Sequence, residues 1–325
     1  MSSILTLAAE NLISPIILSF VLGLLAALAR SDLNFPEAIA KGLSLYLLFA
    51  IGFKGGVGVA MHGPDMRLLA TLLTGMVLSF VLPFVAYALL RLLAPVSAVD
   101  AAAVAGHYGS ISIVTFVAAS TLLTGIGVAT EGYMVAVAAA MEAPAIISAL
   151  WLAARRGHNK GGMDARLWRE VLLNGSIVLL LGAFAIGFIT GKDGLAQIES
   201  FIVSPFKGVL CLFLLDMGIV AGRGLRDTRG LLTLRVVAFG ILMPLVGATA
   251  GLAASLVLGL SPGGVVLMMV LCASASYIAV PAAMRVALPQ ANPSLSLSLS
   301  LGVTFPFNIT LGIPLYMAVA QALTQ

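Results

Sequence analysis

Charge is scarce in this chain of 325 residues: 9% are Asp, Glu, Lys or Arg, while 61% are hydrophobic. A soluble domain carries about a quarter charged residues, so there is too little charge here to solvate a globular surface. Histidine is nearly missing, with only His62, His107 and His158, and the two cysteines, Cys211 and Cys272, sit far apart in apolar segments. No His/Cys spacing suits a metal, and the cysteines read as small packing residues rather than a disulfide. There is no Walker loop and no GxGxxG stretch, so an ATP-driven pump or a soluble-style enzyme has no motif to rest on. The chain is expected not to be an enzyme. The net charge of +4 does not argue for nucleic acid, because the basic residues cluster between apolar runs and act more simply as topology signals. The leading "MSSILTLAAEN" has no Lys or Arg. It therefore lacks the basic region of a signal peptide and is expected to stay in the mature protein.

What is present is hydrophobic length, with a mean hydropathy of +1.12. A helix needs about 20 apolar residues to cross a bilayer. Ten candidate spans meet or approach that, at 11–29, 38–60, 67–94, 100–124, 131–154, 170–190, 204–223, 229–259, 262–288 and 294–322. The expected class is an all-α polytopic membrane protein of about ten transmembrane helices. Spans four, nine and ten are interrupted by polar residues or proline. Of the 17 basic residues, thirteen lie in or beside the loops that follow odd-numbered spans, among them Arg30, Arg91, Arg155, Arg223 and Arg226. Lys54, Arg67, Lys192 and Lys207 lie toward the other side, Lys54 reading as a snorkelling side chain. The positive-inside rule puts the first group in the cytoplasm and both termini outside. The stretch "RRGHNKGGMDARLWRE", 155–170, is the most charged of all and reads as a solvated hinge or a docking surface.

The two halves repeat each other. "KGLSLYLLFAIGFKGG" from Lys41 matches "KGVLCLFLLDMGIVAG" from Lys207, pairing Gly52 with Gly218 and Gly56 with Gly222. "SISIVTFVAA" from Ser110 matches "SASYIAVPAA" from Ser274, and "EAPAI" from Glu142 matches "TFPFN" from Thr304. The offset stays nearly constant along the chain. Residues 1–160 then form a first five-helix repeat, 155–170 a cytoplasmic loop, and 170–325 a second repeat. Five spans is an odd number, so the second copy must be inserted upside down, as in secondary transporters.

Polar residues at membrane depth carry the candidate chemistry. "GHYGSISIVTFVAAS" (106–120) places glycine and serine about halfway through span four, and Ser274 stands at a similar depth in span nine. If both helices break there, two half-helix N-termini converge with their positive dipole ends free. Gly109, Ser110, Ile111 and Ser112, with Ser274, Ala275 and Ser276, would then form an anion site without a fixed cation. Close packing of small residues is the competing reading. Intramembrane acids are costly and usually functional. Glu142 and Asp216, with Thr304 and Asn308 between the prolines of span ten, offer oxygens for a hard cation such as Na⁺ or for a proton relay. His107 reads as a packing or capping histidine.

At these residues the chain resembles the sodium-dependent bicarbonate transporter family, the SbtA-type permeases. The resemblance runs over nearly the whole sequence and is carried by "GFKGG" from Gly52, "GSISIVTF" from Gly109, "MEAPA" from Met141, "ASYIAVPAAMR" from Ala275 and "TFPFNITLGIPLY" from Thr304. It implies a trimeric elevator carrier with bicarbonate between the broken helices and Na⁺ beside it. It also implies a PII-like regulator, which would meet the 155–170 loop. The reading is a Na⁺-coupled bicarbonate symporter of the bacterial inner membrane. A Na⁺- or H⁺-coupled carrier of sulfate or a short carboxylate, or an anion channel, would use the same features.

Overall fold

Inside a bilayer the backbone has no water to bond, so each apolar run closes its hydrogen bonds within a helix. The computed structural model describes residues 13–63, 66–155, 173, 175–227, 230, 232–277, 280–281, 284 and 288–324. Its helices are α1 (Pro15–Leu28), α2 (Glu37–His62), α3 (Met66–Leu93), α4 (Ala98–Gly109), α5 (Ile113–Gly125), α6 (Met134–Ala140) and α7 (Glu142–Arg155) in the first half. The second half holds α8 (Gly175–Ile202), α9 (Phe206–Asp227), α10 (Leu234–Val257), α11 (Pro262–Ala273), α12 (Pro293–Leu299) and α13 (Ile313–Thr324). Among the described residues, eight stretches are long and apolar enough to cross a membrane, and α1 and α11 are shorter apolar helices. The protein is an all-α polytopic membrane protein. Part of the expected ninth span after Tyr277, and the 155–170 loop beyond Arg155, lie outside the described residues.

Pairing is swapped between the halves: α1 packs on α9, and α8 packs on α2. Glycines make both seams. Gly23 and Gly218 put their α-carbons against the carbonyls of Leu215 and Phe20, while Gly52 and Gly56 sit against those of Leu180 and Phe184. Without a hydrophobic drive between helices in lipid, such close backbone approach supplies the attraction. A side chain there meets backbone, which cannot rotate aside. Gly56→Val and Gly218→Val are therefore expected to reduce the folded protein recovered in mild detergent, since overpacking costs about 1–3 kcal/mol or more. Gly182→Val, at a position facing open space, should be recovered like the parent. Size-exclusion profiles of the three variants check this.

Three local rules shape the spans around the site. Pro144 lacks the N–H that would reach the Ala140 carbonyl, and the fifth span bends there, between α6 and α7. Gly191 takes φ 56°, ψ −145°, a conformation glycine alone adopts readily, and turns the chain sharply inside α8. The last span, by contrast, stays helical through Pro306. Two wide π turns, Ser300–Thr304 and Asn308–Gly312, flank the short turn Phe305–Phe307 and absorb the missing bond.

Candidate functional site

Spans four and nine both break. Helix α4 opens on Ser97 (φ −59°, ψ 154°) and stops at Ser110, which is extended at φ −80°, ψ 171°. Helix α11 opens on Ser261 (φ −60°, ψ 159°) and stops at Ser274, at φ −88°, ψ 161°. Each first half-helix has 12 residues. After Ser110 the chain resumes as α5, whose N-cap is Ser112: its hydroxyl accepts the Thr115 N–H at 3.2 Å. The half-helix after the break is therefore capped by Ser112 and not by Ser110. Ser110 closes the preceding one, and Ser112, two residues on, has the extended geometry and reach of an N-cap.

The two breaks cross and hold each other. The Ser112 N–H donates to Ser274 Oγ at 2.9 Å, and Ser274 Oγ donates to the Leu271 carbonyl at 3.0 Å. The Ser276 N–H donates to the His107 carbonyl at 2.7 Å, while His107 Nδ1 donates back to the Ser276 carbonyl at 2.6 Å. His107 thus joins the two breaks through both its carbonyl and its ring. Gly109, Ser110, Ile111, Ser112, Ser274, Ala275 and Ser276 are all buried. One hydroxyl differs from the rest: Ser110 Oγ is buried with no hydrogen-bond partner among the described residues. The backbone N–H groups of Ile113 and Val114, at the start of α5, have no partner there either. These are groups in want of acceptors, at the positive end of a helix.

A second layer ties the remaining candidates to the crossing. The Ser79 carbonyl lies against Gly109, and the Ser79 hydroxyl donates to the Met141 carbonyl, which brings the start of α7 beside the α4 break. Glu142 follows Met141; it is 5% exposed and its Oε2 has no hydrogen-bond partner among the described residues. On the other side, the Thr304 hydroxyl donates to the Gly240 carbonyl at 2.7 Å and accepts from Tyr108 at 2.6 Å. Asn308 Nδ2 donates to the Ala273 carbonyl at 2.9 Å, and its Oδ1 accepts from Tyr316 at 2.9 Å. Thr304 spends its one donor and Asn308 one of its two N–H groups on the scaffold, and each keeps one oxygen lone pair. Asp216 stands apart. On α9 it interacts with Arg223, two turns along the same helix, and no hydrogen bond among the described residues joins it to the crossing.

Sequence reasoning missed Ser79, Tyr108, Thr115 and Tyr316 as scaffold. Only Ser79 had a signal, a lone hydroxyl in mid-span four residues before Pro83. It also missed two clasps at the outer ends of the broken helices. Asp100 Oδ1 accepts the Asn292 N–H at 2.7 Å, and Glu131 accepts the Ser261 N–H at 2.7 Å and its hydroxyl at 2.9 Å. Each clasp joins a residue of one half to the other.

Cavities flank the crossing unequally. One of about 550 Å³ lies between α2, α9 and α5, and reaches Phe116 and Val117 on α5. Another, of about 120 Å³, is lined by Ala103 and His107 of α4 and by Ser296.

A family model described as the Na⁺-dependent bicarbonate transporter superfamily matches residues 15–321. The chain belongs to that superfamily. No curated protein matches the chain. Buried donors at a positive helix end, as at the pair of broken helices, are the chemistry that a small oxyanion requires.

Proposed function

We propose that the protein is a Na⁺-coupled bicarbonate symporter of a bacterial inner membrane, with bicarbonate bound at the crossing of spans four and nine. The uncommitted Ser110 hydroxyl, together with the free N–H groups of Ile113 and Val114, carries this reading. Glu142 is the carboxylate that neutralises the coupling cation, and Thr304 and Asn308, each with a spare lone pair, are further oxygen ligands for it. Residues 1–160 and 170–325 are two inverted five-helix repeats. The swapped pairs α1/α9 and α2/α8, and the matched geometry of Ser97 and Ser261 and of Ser110 and Ser274, support that reading. In an elevator-type cycle the crossing and its clasps move as one body against the two glycine-lined pairs. The family resemblance supports a homotrimer and a PII-like regulator at the cytoplasmic loop.

The test is uptake of radiolabelled bicarbonate into proteoliposomes, with and without an inward Na⁺ gradient. Uphill uptake that requires Na⁺ is expected, with excess sulfate competing weakly. Uptake that runs only downhill and ignores Na⁺ would make the protein a channel, and strong sulfate competition would name another anion. Orientation is checked separately. A cysteine placed at Gly161, in the basic loop, should resist impermeant thiol reagents in intact cells, whereas one near Thr324 should label. Equal labelling would overturn the assignment of both termini to the outside.

A further inference from the structure

The 550 Å³ cavity contains two ammonium groups that the crossing does not use. Lys54, on α2, is half-buried, with its Nζ 4.0 Å from the centroid of the Phe206 ring, and Lys207 is exposed on the next residue of α9. Neither makes an ion pair within 4.0 Å among the described residues. The cavity's one carboxylate, Glu131, is turned to the Ser261 N–H and hydroxyl. A low-dielectric cleft with two unpaired positive charges and one engaged negative charge concentrates anions. The cavity lies on the face poor in basic residues, and its floor reaches Phe116, about 4.5 Å along the helix from Ile113 at 1.5 Å per residue.

From this arrangement we infer that the cavity is an anion vestibule, in which Lys54 and Lys207 hold a small monovalent anion before it passes to the crossing. The Phe206 ring keeps the Lys54 ammonium at the cleft by a cation–π contact, so the charge stands ready without a carboxylate to compete for it. The identity of that anion as bicarbonate rests on the proposed symport; the vestibule itself does not.

Two measurements separate those claims. In a Cys211→Ser background, Thr124→Cys places a thiol on the exposed part of the cavity wall. Its modification by anionic and cationic methanethiosulfonates is compared in vesicles of zwitterionic phosphatidylcholine, which has no net charge, so that anionic lipids do not supply or mask the field. The anionic reagent is expected to react about tenfold faster, as focused fields raise on-rates by that order or more, and Lys54→Gln with Lys207→Gln should remove the preference. Equal rates in the parent, or a preference that survives both substitutions, would overturn the vestibule. In the uptake assay, the same double substitution should raise half-saturation for bicarbonate about tenfold at low ionic strength, and less as salt screens the field. An unchanged half-saturation would also count against it. A charge-selective thiol in a protein that carries no bicarbonate would keep the vestibule and discard the symport.

Discussion

Ser110→Ala is expected to weaken apparent bicarbonate affinity roughly ten- to hundredfold while leaving the protein as stable as before. The hydroxyl is buried and has no partner among the described residues, so its removal breaks no bond in the scaffold and ends the burial of an unsatisfied group. A hydrogen bond to a charged ligand contributes about 1.5–3 kcal/mol, and 1.4 kcal/mol is a tenfold change. Ser112→Ala and Ser274→Ala should behave differently. The first removes the cap on Thr115, which costs about 1 kcal/mol, and the second removes a bond across the crossing. Both should lower the melting temperature. Leucine at 110 and 112 together should abolish transport by filling the gap between the helix ends. Uptake kinetics and thermal unfolding, measured on the same preparations, distinguish these patterns. If Ser110→Ala takes up bicarbonate with the parent half-saturation, the anion site lies elsewhere and the break is only a packing device.

Glu142→Gln is expected to remove activation by Na⁺. A carboxylate at 5% exposure with an oxygen unpartnered among the described residues is expensive in the membrane unless a cation or a proton neutralises it. Glutamine keeps the volume and some hydrogen bonding and removes the charge, so the variant should reach the membrane folded. Thermal unfolding gives a readout independent of transport, because a ligand that binds only the folded state raises stability by mass action. Added Na⁺ should raise the melting temperature of the parent and leave that of Glu142→Gln where it was. Na⁺ activation that survives the substitution would make Glu142 a structural residue. Asp216→Asn, at a site that no hydrogen bond among the described residues joins to the crossing, should retain Na⁺ activation and serves as the control.

Much of the architecture was legible in the sequence. Hydropathy is a local property, and a run such as 67–94 has one low-energy solution in lipid, a helix. The breaks at Ser110 and Ser274 were legible too, because Gly, Ser and Pro act on their own backbone and because the same pattern recurs at an offset of 164 residues. The swapped pairing of α1 with α9 and of α2 with α8 follows from glycines that the repeat comparison had already aligned.

Roles at the crossing were not legible. Ser110 and Ser112 are the same residue type two positions apart, yet one hydroxyl caps a helix and the other is left free. That difference arises because Ser274 arrives from 162 residues away to take the Ser112 N–H. Likewise, nothing in the sequence shows that Tyr108 and Tyr316 each occupy one lone pair of Thr304 and Asn308, or that no hydrogen bond among the described residues joins Asp216 to the crossing. The pairing of Lys54 with Phe206 and the clasps at Asp100 and Glu131 belong to the same class. Composition and spacing determine which segments cross the membrane and where they break, because those energies depend on neighbours in the chain. Which polar group is satisfied and which is left for a ligand depends on neighbours in space, and only the tertiary structure decided that.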